Sequence, residues 1–418
     1  MSARRPRSLL AALPIWLALL QGASASAQPL PSPLDVGAVV RIARERRQEI
    51  VASASRAQAL GQRPAIEASL DQPMVMLSLD HLPFELHGAD FSVALQQDFP
   101  LSGLLSRRRE AAEAGARRAR AAVDVAALDV ELEAVDALLM AAERRRLGAV
   151  LTQQAELARE LVRVGGARYA AGQGEQSDVI RAEAEAARIE ALALSNARAT
   201  RGAEAMVCAS LALPPDTAVP AVSLARSEAD VPTPEALVEA ALASRPELAA
   251  MRAERARSRA EVGVMESMYW PMAFVRLGVA NTMQDGPGVM AMFGVTLPVR
   301  RARLHAGLSE ATAMVRMVDA DLSAMRTMIE GEVRARHADV MAASVALEAI
   351  RGRVLPLSRQ AFDSTLASYA AGRVPVVSVV EALRMLTMVL DDEVMADVAL
   401  ARARARLDRA TGALGGVR

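Results

Sequence analysis

Residue types that commonly bind metals are few and scattered in this sequence. Two of the four histidines, His81 and His87, lie close together, with the acidic residues Asp80, Glu85 and Asp90 around them. Imidazole and carboxylate groups at this spacing could make a surface metal contact, but a polar loop between two strands explains the same residues. The twenty methionines offer thioether ligands for soft metals, although methionine also fills irregular cores. We therefore predict no metal site and no cofactor.

The sequence contains no recognisable enzyme motif. A glycine-rich phosphate loop, a nucleophile elbow and a helical pair of zinc-binding histidines are all missing. The single cysteine, Cys208, lies in an apolar stretch and is interpreted as a small core residue. The 49 basic and 49 acidic residues balance, which argues against phosphate-driven nucleic-acid binding. The composition thus favours neither an enzyme nor a nucleic-acid partner.

The first residues have the pattern of an export signal. Arg4, Arg5 and Arg7 precede the apolar run 9–20, and small residues at 25–27 provide a cleavage site. We predict a signal peptide at 1–27. No later apolar run is long enough for a membrane-spanning helix, so any membrane contact of the exported chain is expected to use strands.

Three short motifs occur twice in the same order, about 200 positions apart. This repetition predicts two structural repeats, at 28–212 and 235–418, joined by a proline-rich linker at 213–234 that cannot continue a helix. The matching pairs are RRQEI at 46–50 with SRPEL at 244–248, ALQQDFPL at 94–101 with MFGVTLPV at 292–299, and Tyr-Ala-Ala-Gly at Tyr169 and Tyr369.

Each repeat contains one stretch in which apolar and polar residues alternate, as in a β-hairpin. We predict the hairpins at about 64–100 and about 272–298. A soluble sandwich would use the same alternation, but the strands approach the length that crosses an outer membrane, and nothing else in the chain could supply an opposing sheet. The residues of one face are Ile66, Ala68, Leu70, Phe91, Val93, Leu95 and Phe99 in the first repeat and Val275, Leu277, Val279, Val289, Ala291, Phe293, Val295 and Leu297 in the second.

Long helices account for most of the remaining chain. Residues 102–164 contain no proline, and apolar residues recur there at the three-and-four spacing of a coiled-coil seam. Because four strands cannot close a barrel in lipid, the chain is expected to oligomerise, with eight strands from two copies or twelve from three. The seams are Val125, Leu128, Leu132, Val135 and Leu139, and then Val315, Val318, Leu322, Met325 and Ile329.

Both Tyr-Ala-Ala-Gly motifs are predicted to lie at helix-hairpin turns. Gly172 and Gly174 permit positive φ angles, and Pro375 cannot donate a helical hydrogen bond. Ser177 or Asp178 is expected to cap the following helix.

These motifs resemble the TolC family of outer-membrane efflux channels, whose repeats carry Tyr-x-x-Gly, five residues, and Asp-Val-Leu-x-Ala. The first copy provides Asp178, Val179, Ile180 and Ala182 at the matching positions, whereas the second has Ser378 in place of the aspartate. The phrase DFPLSGLLSRRR and the SRPEL opening are most similar to the heavy-metal branch, the outer components of Czc- and Cus-type pumps.

The resemblance implies a mainly α fold with membrane β: a long coiled-coil helical barrel, continued by a twelve-strand outer-membrane β-barrel built from four strands in each chain of a homotrimer. It implies a passive duct in the outer membrane of a Gram-negative bacterium, extending into the periplasm and partnered by a periplasmic adaptor (membrane fusion) protein and an inner-membrane RND-type pump. Residues expected at the adaptor-docking tips are Tyr169, Gly172, Gly174, Ser177, Asp178, Tyr369, Gly372, Val374, Pro375 and Ser378.

In this geometry Glu175 and Asp178 would form a ring of carboxylates at the pore entrance, which predicts cation passage. The expected substrate is a heavy-metal cation. A duct for drug efflux or type I secretion would have the same architecture, and a periplasmic coiled-coil adaptor or scaffold is the alternative from a different class.

Overall fold

The computed structural model describes residues 30–80, 90–223, 231–282, 286–412 and 414. The predicted signal peptide and the histidines at 81 and 87 therefore lie outside the described residues. Helices of the first half are α1 (Val36–Arg46), α2 (Gln48–Gly61), α3 (Arg63–Glu67), α4 (Leu104–Ala170) and α5 (Gln176–Ser210). Those of the second half are α6 (Pro234–Ser244), α7 (Pro246–Ser267), α8 (Arg301–Ala349), α9 (Leu355–Ala370) and α10 (Val376–Thr411).

The strands form one antiparallel sheet that combines a hairpin from each half. The strand order is β1 (Met74–Asp80), β2 (Asp90–Pro100), β3 (Met272–Thr282), β4 (Gly286–Thr296). Within the described residues, β1 and β4 each pair with one strand only, so both edges of the sheet are open. The mainly α chain with one four-stranded sheet confirms the predicted fold class at the level of one protomer.

The two faces of the sheet differ in polarity. A cross-strand row of apolar residues follows from the pairing register, and its outermost members Leu77 and Val289 are 79% and 88% exposed. On the opposite face Arg276 donates hydrogen bonds to the Oε1 atom of Gln96 at 2.7 and 3.1 Å. A sheet with one exposed apolar face and one face that also carries polar groups such as Arg276 and Gln96 fits a lipid boundary on one side and water on the other.

The predicted position of the first strand is wrong. Ile66 lies in helix α3, and Ala68 and Leu70 follow it, whereas the strand begins only at Met74. Pro64 near the amino end of α3 favours a helical start, because its missing N–H costs nothing there. A few alternating residues fit one helical turn as well as a strand, so alternation alone did not distinguish them.

The helices that adjoin the strands continue the order of the sheet. Helix α2 packs against α4, α4 against α7, and α7 against α8, so the layer α2–α4–α7–α8 repeats the order β1–β2–β3–β4. Helix α4 has 67 residues, which corresponds to a rod of about 100 Å. None of the helices in the described part of the chain combines the length and the hydropathy that a membrane-spanning helix needs.

Both predicted seams are largely buried. Val135 and Leu139 of α4 contact a cluster that includes residues of α1 and α10, and Leu322 and Ile329 of α8 contact residues of α6, α7 and α10. The described part of the predicted linker has no helix before Pro234, where α6 begins, and it pairs with the first described residues, where the Leu34 N–H donates to the carbonyl of Ala221 at 2.8 Å.

The long helix of the second half is interrupted, unlike α4. A π-helical segment, Ile350–Val354, separates α8 from α9, and Pro356 stands at the start of α9. Proline lacks the N–H that would complete the helical ladder, which favours such a local irregularity. Arg351 of this segment is held by Glu393 at 2.7 Å and Asp397 at 2.9 Å, both on α10.

The RRQEI and SRPEL motifs place one arginine at each of two equivalent helix junctions. Arg47 separates α1 from α2 and pairs with Glu49 at 2.8 Å and Glu133 of α4 at 2.9 Å. Arg245 separates α6 from α7 and pairs with Glu247 at 2.9 Å and Glu332 of α8 at 2.5 Å. The repeated motif therefore encodes an arginine that ties each helix junction to the long helix beside it.

Candidate functional site

The two Tyr-Ala-Ala-Gly motifs form the same tight turn at the end of each helical hairpin. Gly172 and Gly372 have φ angles of +70° and +74°, and each N–H donates to the carbonyl of the motif tyrosine at 2.9 Å. L-residues with a side chain rarely adopt this left-handed conformation, so glycine is required at both positions. Gly174, in contrast, has no positive φ and lies against Arg168 and Tyr169.

The two tyrosines have different environments despite their equivalent positions. Tyr169 is 50% exposed, whereas Tyr369 is 1% exposed and lies in a cluster with Leu161 and Val379. The guanidinium carbon of Arg168 lies 4.7 Å from the centroid of the Tyr369 ring, and Nη1 donates to the Tyr369 carbonyl. Its Nη2 also donates to the carbonyl of Gln173 at 2.8 Å. Arg168 therefore joins the first tip to the second.

The predicted capping of α5 by Ser177 or Asp178 was wrong. Helix α5 begins at Gln176 with Glu175 as its N-cap residue, and no side chain makes a capping hydrogen bond there. The left-handed glycine reverses the chain so tightly that the helix starts before either predicted cap. Asp178 lies in the first helical turn, where a carboxylate interacts favourably with the helix dipole.

The two acidic residues of the first tip differ in exposure. Glu175 is exposed and accepts a hydrogen bond from the Ser177 hydroxyl at 3.1 Å, whereas Asp178 is half-buried. Burial raises the pKa of the Tyr369 hydroxyl, and the nearby negative charge of Asp178 raises it further. The carboxylate of Asp178 is therefore near enough to Tyr369 to act on its hydroxyl, while Glu175 is exposed to solvent.

The second tip has a more apolar helix start than the first. Pro375 is the N-cap residue of α10, and the Ser378 N–H donates to its carbonyl at 3.2 Å. Val374 is half-buried and packs against the Tyr369 cluster, and Val376 at the start of α10 is fully buried there. The second tip is thus fixed by apolar contacts, and the first mostly by polar ones.

No group of three His, Cys, Asp or Glu side chains within the described residues is placed to hold a metal ion. The strand methionines Met74, Met76, Met290 and Met292 all lie on the face of the sheet that carries Arg276, according to the pairing register. Cys208 is buried, and burial raises the pKa of its thiol, as expected for a core residue.

Comparisons with known proteins agree with this architecture. Residues 237–413 match the sequence model of the outer membrane efflux protein family, which comprises channels rather than enzymes. Among curated proteins, no sequence matches this chain.

Several solved outer-membrane channels share the fold across almost the whole chain. The outer-membrane channel OprN has a TM-score of 0.79 at 17% identity, with 91% of each chain covered. VceC from Vibrio cholerae has a TM-score of 0.75 at 17% identity, over 91% of this chain and 96% of the other. CusC has a TM-score of 0.75 at 13% identity, over 89% of this chain and 91% of the other.

The chain therefore shares its fold with the chains of these solved outer-membrane channels. Its carboxy-terminal half carries the sequence pattern of the outer membrane efflux proteins. At these levels of identity the shared fold does not distinguish the heavy-metal branch from the others.

Proposed function

We propose that this chain is the outer-membrane duct of a tripartite efflux system, which performs no chemical step. The observation that carries the proposal is the single sheet with an exposed apolar face and two open edges, continued by a helical layer in the same order. The efflux-family match and the fold shared with outer-membrane channels support it. The duct would lie in the outer membrane of a Gram-negative bacterium and extend into the periplasm.

The open edges require a homo-oligomer. An unpaired strand edge in lipid leaves backbone groups without partners, at several kcal/mol each. Edge-to-edge pairing of β4 with β1 of another copy removes both edges, and three copies give a barrel of twelve strands with room for a bore. The helical layer would close in the same way through its edge helices, α2 and α8.

The tips are proposed to dock a periplasmic adaptor linked to an inner-membrane RND-type pump. Three copies would present six tips, and these are the parts of the long hairpins most distant from the sheet. The exposed Tyr169 and Ser177 belong to the tip surface, whereas the buried Tyr369 supports it from inside. This docking surface would be formed by Tyr169, Gly172, Gly174, Ser177, Asp178, Gly372, Val374, Pro375 and Ser378.

The duct and the periplasmic scaffold predict different behaviour of the mature protein. We expect a trimer that fractionates with the outer membrane and, after reconstitution in a planar lipid bilayer, conducts ions. A protein released with the soluble periplasm as a monomer would instead support the scaffold.

The substrate class is proposed to be heavy-metal cations, on the basis of the acidic residues at the first tip. Three copies of Glu175 and Asp178 around one axis would attract cations and repel anions at the entrance. A deletion strain should then be sensitive to several metal cations, while sensitivity to drugs alone would favour the drug-efflux alternative.

Neutralising both tip acids is expected to lower the cation preference of the reconstituted channel. In the variant Glu175→Gln with Asp178→Asn, the ring loses its charge and the reversal potential in a salt gradient should shift toward that of a non-selective pore. The matched control is Glu45→Gln with Glu239→Gln, which removes two exposed acids from α1 and α6. Equal ion preference in the tip variant and the control would contradict the proposal.

A further inference from the structure

A groove of about 710 Å³ lies near the membrane end of the helical layer, between α2, α4 and α7. Its floor is the face of α4 that carries Ala112, Gly115 and Ala119, and Leu60 and Val264 add apolar walls. The stem of Arg257 lies over Gly115, where an added Cβ atom would be 3.8 Å from the arginine Cδ atom. The groove is therefore an apolar trough beside the point where α4 leaves the sheet.

Arginines dominate the rim of this groove. Five arginines line it against two acidic residues, Glu67 and Glu261. Glu67 pairs with Arg63 at 3.3 Å, and Glu261 pairs with Arg257 at 2.9 Å. The remaining arginines are Arg118, which pairs with Glu254 at 3.3 Å, and Arg56 and Arg108.

Arg56 and Arg108 have the only two of these guanidinium groups that form no ion pair with another residue in the described part of the chain. They flank the apolar floor from α2 and α4. An unpaired guanidinium beside an apolar floor provides the two features that an amphipathic anion needs, a charge partner and a surface for its hydrocarbon part.

The position of Trp270 indicates which way the groove faces. Arg257 and Val264 are seven residues apart, about two helical turns, and therefore share one face of α7. Arg259 is rotated by about 200° from Arg257 around the helix axis, which places it on the opposite face. Helix α7 ends at Ser267 and is followed by a turn in which the Trp270 N–H donates to the Ser267 carbonyl at 3.2 Å. This turn extends the rotation of the helix and places Trp270 on the same side as Arg259. Trp270 is 63% exposed next to β3, where aromatic residues of outer-membrane strands face lipid. The groove therefore faces away from the lipid side.

Closure of the layer into the proposed ring would agree with this direction. The groove is bounded by α2 and α7, the helices on either side of α4, with α4 as its floor. In a layer that curves into a ring, the middle of three neighbouring helices is recessed on the concave side only. In the proposed ring the concave side of the layer faces the bore.

We propose that this groove lines the bore of the duct and binds amphipathic organic anions, with the acidic group at Arg56 and Arg108 and the hydrocarbon part on the alanine and glycine floor. The proposal rests on the proposed duct function. The groove lies about 90 Å along α4 from the tip acids. The carboxylates at the entrance and the arginines of the groove can therefore attract ions of opposite sign without affecting each other.

The experiment uses the reconstituted wild-type protein with octyl sulfate as an anionic probe and octyl glucoside as an uncharged probe with the same chain length. Octyl sulfate below its micellar concentration should block the ion current, and octyl glucoside should not. In the variant Arg56→Gln with Arg108→Gln, block should require about tenfold more octyl sulfate, because charge-assisted hydrogen bonds are lost. Neither substitution leaves an acidic partner unpaired, so the variant is expected to fold.

The matched control is Arg117→Gln with Arg120→Gln, which removes two exposed arginines from the opposite face of α4. Octyl sulfate should block the ion current of this control at the same concentration as in the wild type. Calorimetric titration of the detergent-solubilised trimer with octyl sulfate measures binding without requiring conductance.

The possible results separate the groove from the duct. Binding and block that both weaken in the groove variant alone support the proposal. Binding that depends on Arg56 and Arg108 without any block would place the groove outside the bore, as a site for anionic lipid, and overturn the proposal. Block that is equal in all three proteins would also overturn it, while absence of any current would refute the duct itself.

Discussion

Replacing Arg245 by alanine is expected to lower the free energy of unfolding by about 3–5 kcal/mol. The side chain of Arg245 is only 7% exposed and contacts carboxylates on both sides, at 2.9 Å to Glu247 and 2.5 Å to Glu332. Its removal leaves Glu247, itself 17% exposed, with fewer partners for a buried charge. Arg409 still contacts Glu247 at 2.8 Å, which favours the lower end of the range.

Urea unfolding of the purified protein, followed by circular dichroism, measures this loss. Arg259→Ala is the matched control, because this exposed arginine of α7 has no ion pair with another described residue, and surface changes usually alter stability by less than about 0.5 kcal/mol. Arg245→Lys should retain part of the stability, since lysine keeps the charge but not the bidentate fork. Equal urea midpoints for Arg245→Ala and Arg259→Ala would contradict the claim that the ion pairs of Arg245 stabilise the fold.

The contacts of Glu247 with Arg245 and Arg409 also make the folding stability depend on pH in a defined way. Burial disfavours ionisation of Glu247, but hydrogen bonds from Arg245 and the backbone, together with the charges of Arg409 and Arg245, outweigh it and hold the pKa at about 2, against a reference value of 4.5. A lowered folded-state pKa means that this stability is present above about pH 4.5 and is lost as the pH falls toward 2. In Arg245→Ala the loss of stability between these pH values should be smaller than in the wild type.

The sequence motif at this junction could locate the repeat but not its role. RRQEI and SRPEL share an arginine and, two positions later, a glutamate, and both motifs stand at the same place in the order of their repeat. The second partners, Glu133 and Glu332, lie on the neighbouring long helices and appear only once the chain is folded. A contact between residues distant in sequence has no local signal.

Strand prediction succeeded where the alternating pattern was long. The stretch from Phe91 to Phe99 lies in β2, and that from Val289 to Val295 lies in β4, because such runs have no helical interpretation. The short pattern around Ile66 failed because its residues fit one turn of helix α3. That both hairpins would join in one sheet followed only from the observed pairing of β2 with β3.

The tips show the same division between local and tertiary information. Tyr-Ala-Ala-Gly predicts both turns, because a left-handed glycine at the end of a helix is a local requirement. The motif is identical in the two copies, yet Tyr369 is buried and Tyr169 is exposed. The residue before each motif accounts for part of the difference, since Arg168 reaches across to the second tip and its counterpart is Ser368.

Arg168→Ala is therefore expected to loosen the contact between the tips and to increase the time that the reconstituted duct spends in a high-conductance state. The guanidinium stacks on the Tyr369 ring at 4.7 Å and donates to carbonyls of both tips. Charge-assisted hydrogen bonds contribute about 1.5–3 kcal/mol and a partly desolvated cation–π contact about 1–2 kcal/mol. A loss of this size shifts a two-state equilibrium by at least about tenfold.

Single-channel recording tests this expectation, with Arg373→Ala as the control. Arg373 provides the same charge on the exposed surface of the second tip, but its side chain makes no hydrogen bond or ion pair with another described residue. Arg168→Lys should give an intermediate open time, because lysine retains the charge and loses the planar stacking and the second donor direction. If charge at the tips were the only determinant, Arg168→Ala and Arg373→Ala would change conductance equally, and lysine at position 168 would behave as the wild type. An ordering of wild type, lysine and alanine by increasing open time, with the control unchanged, instead requires the geometry of the contact between Arg168 and Tyr369.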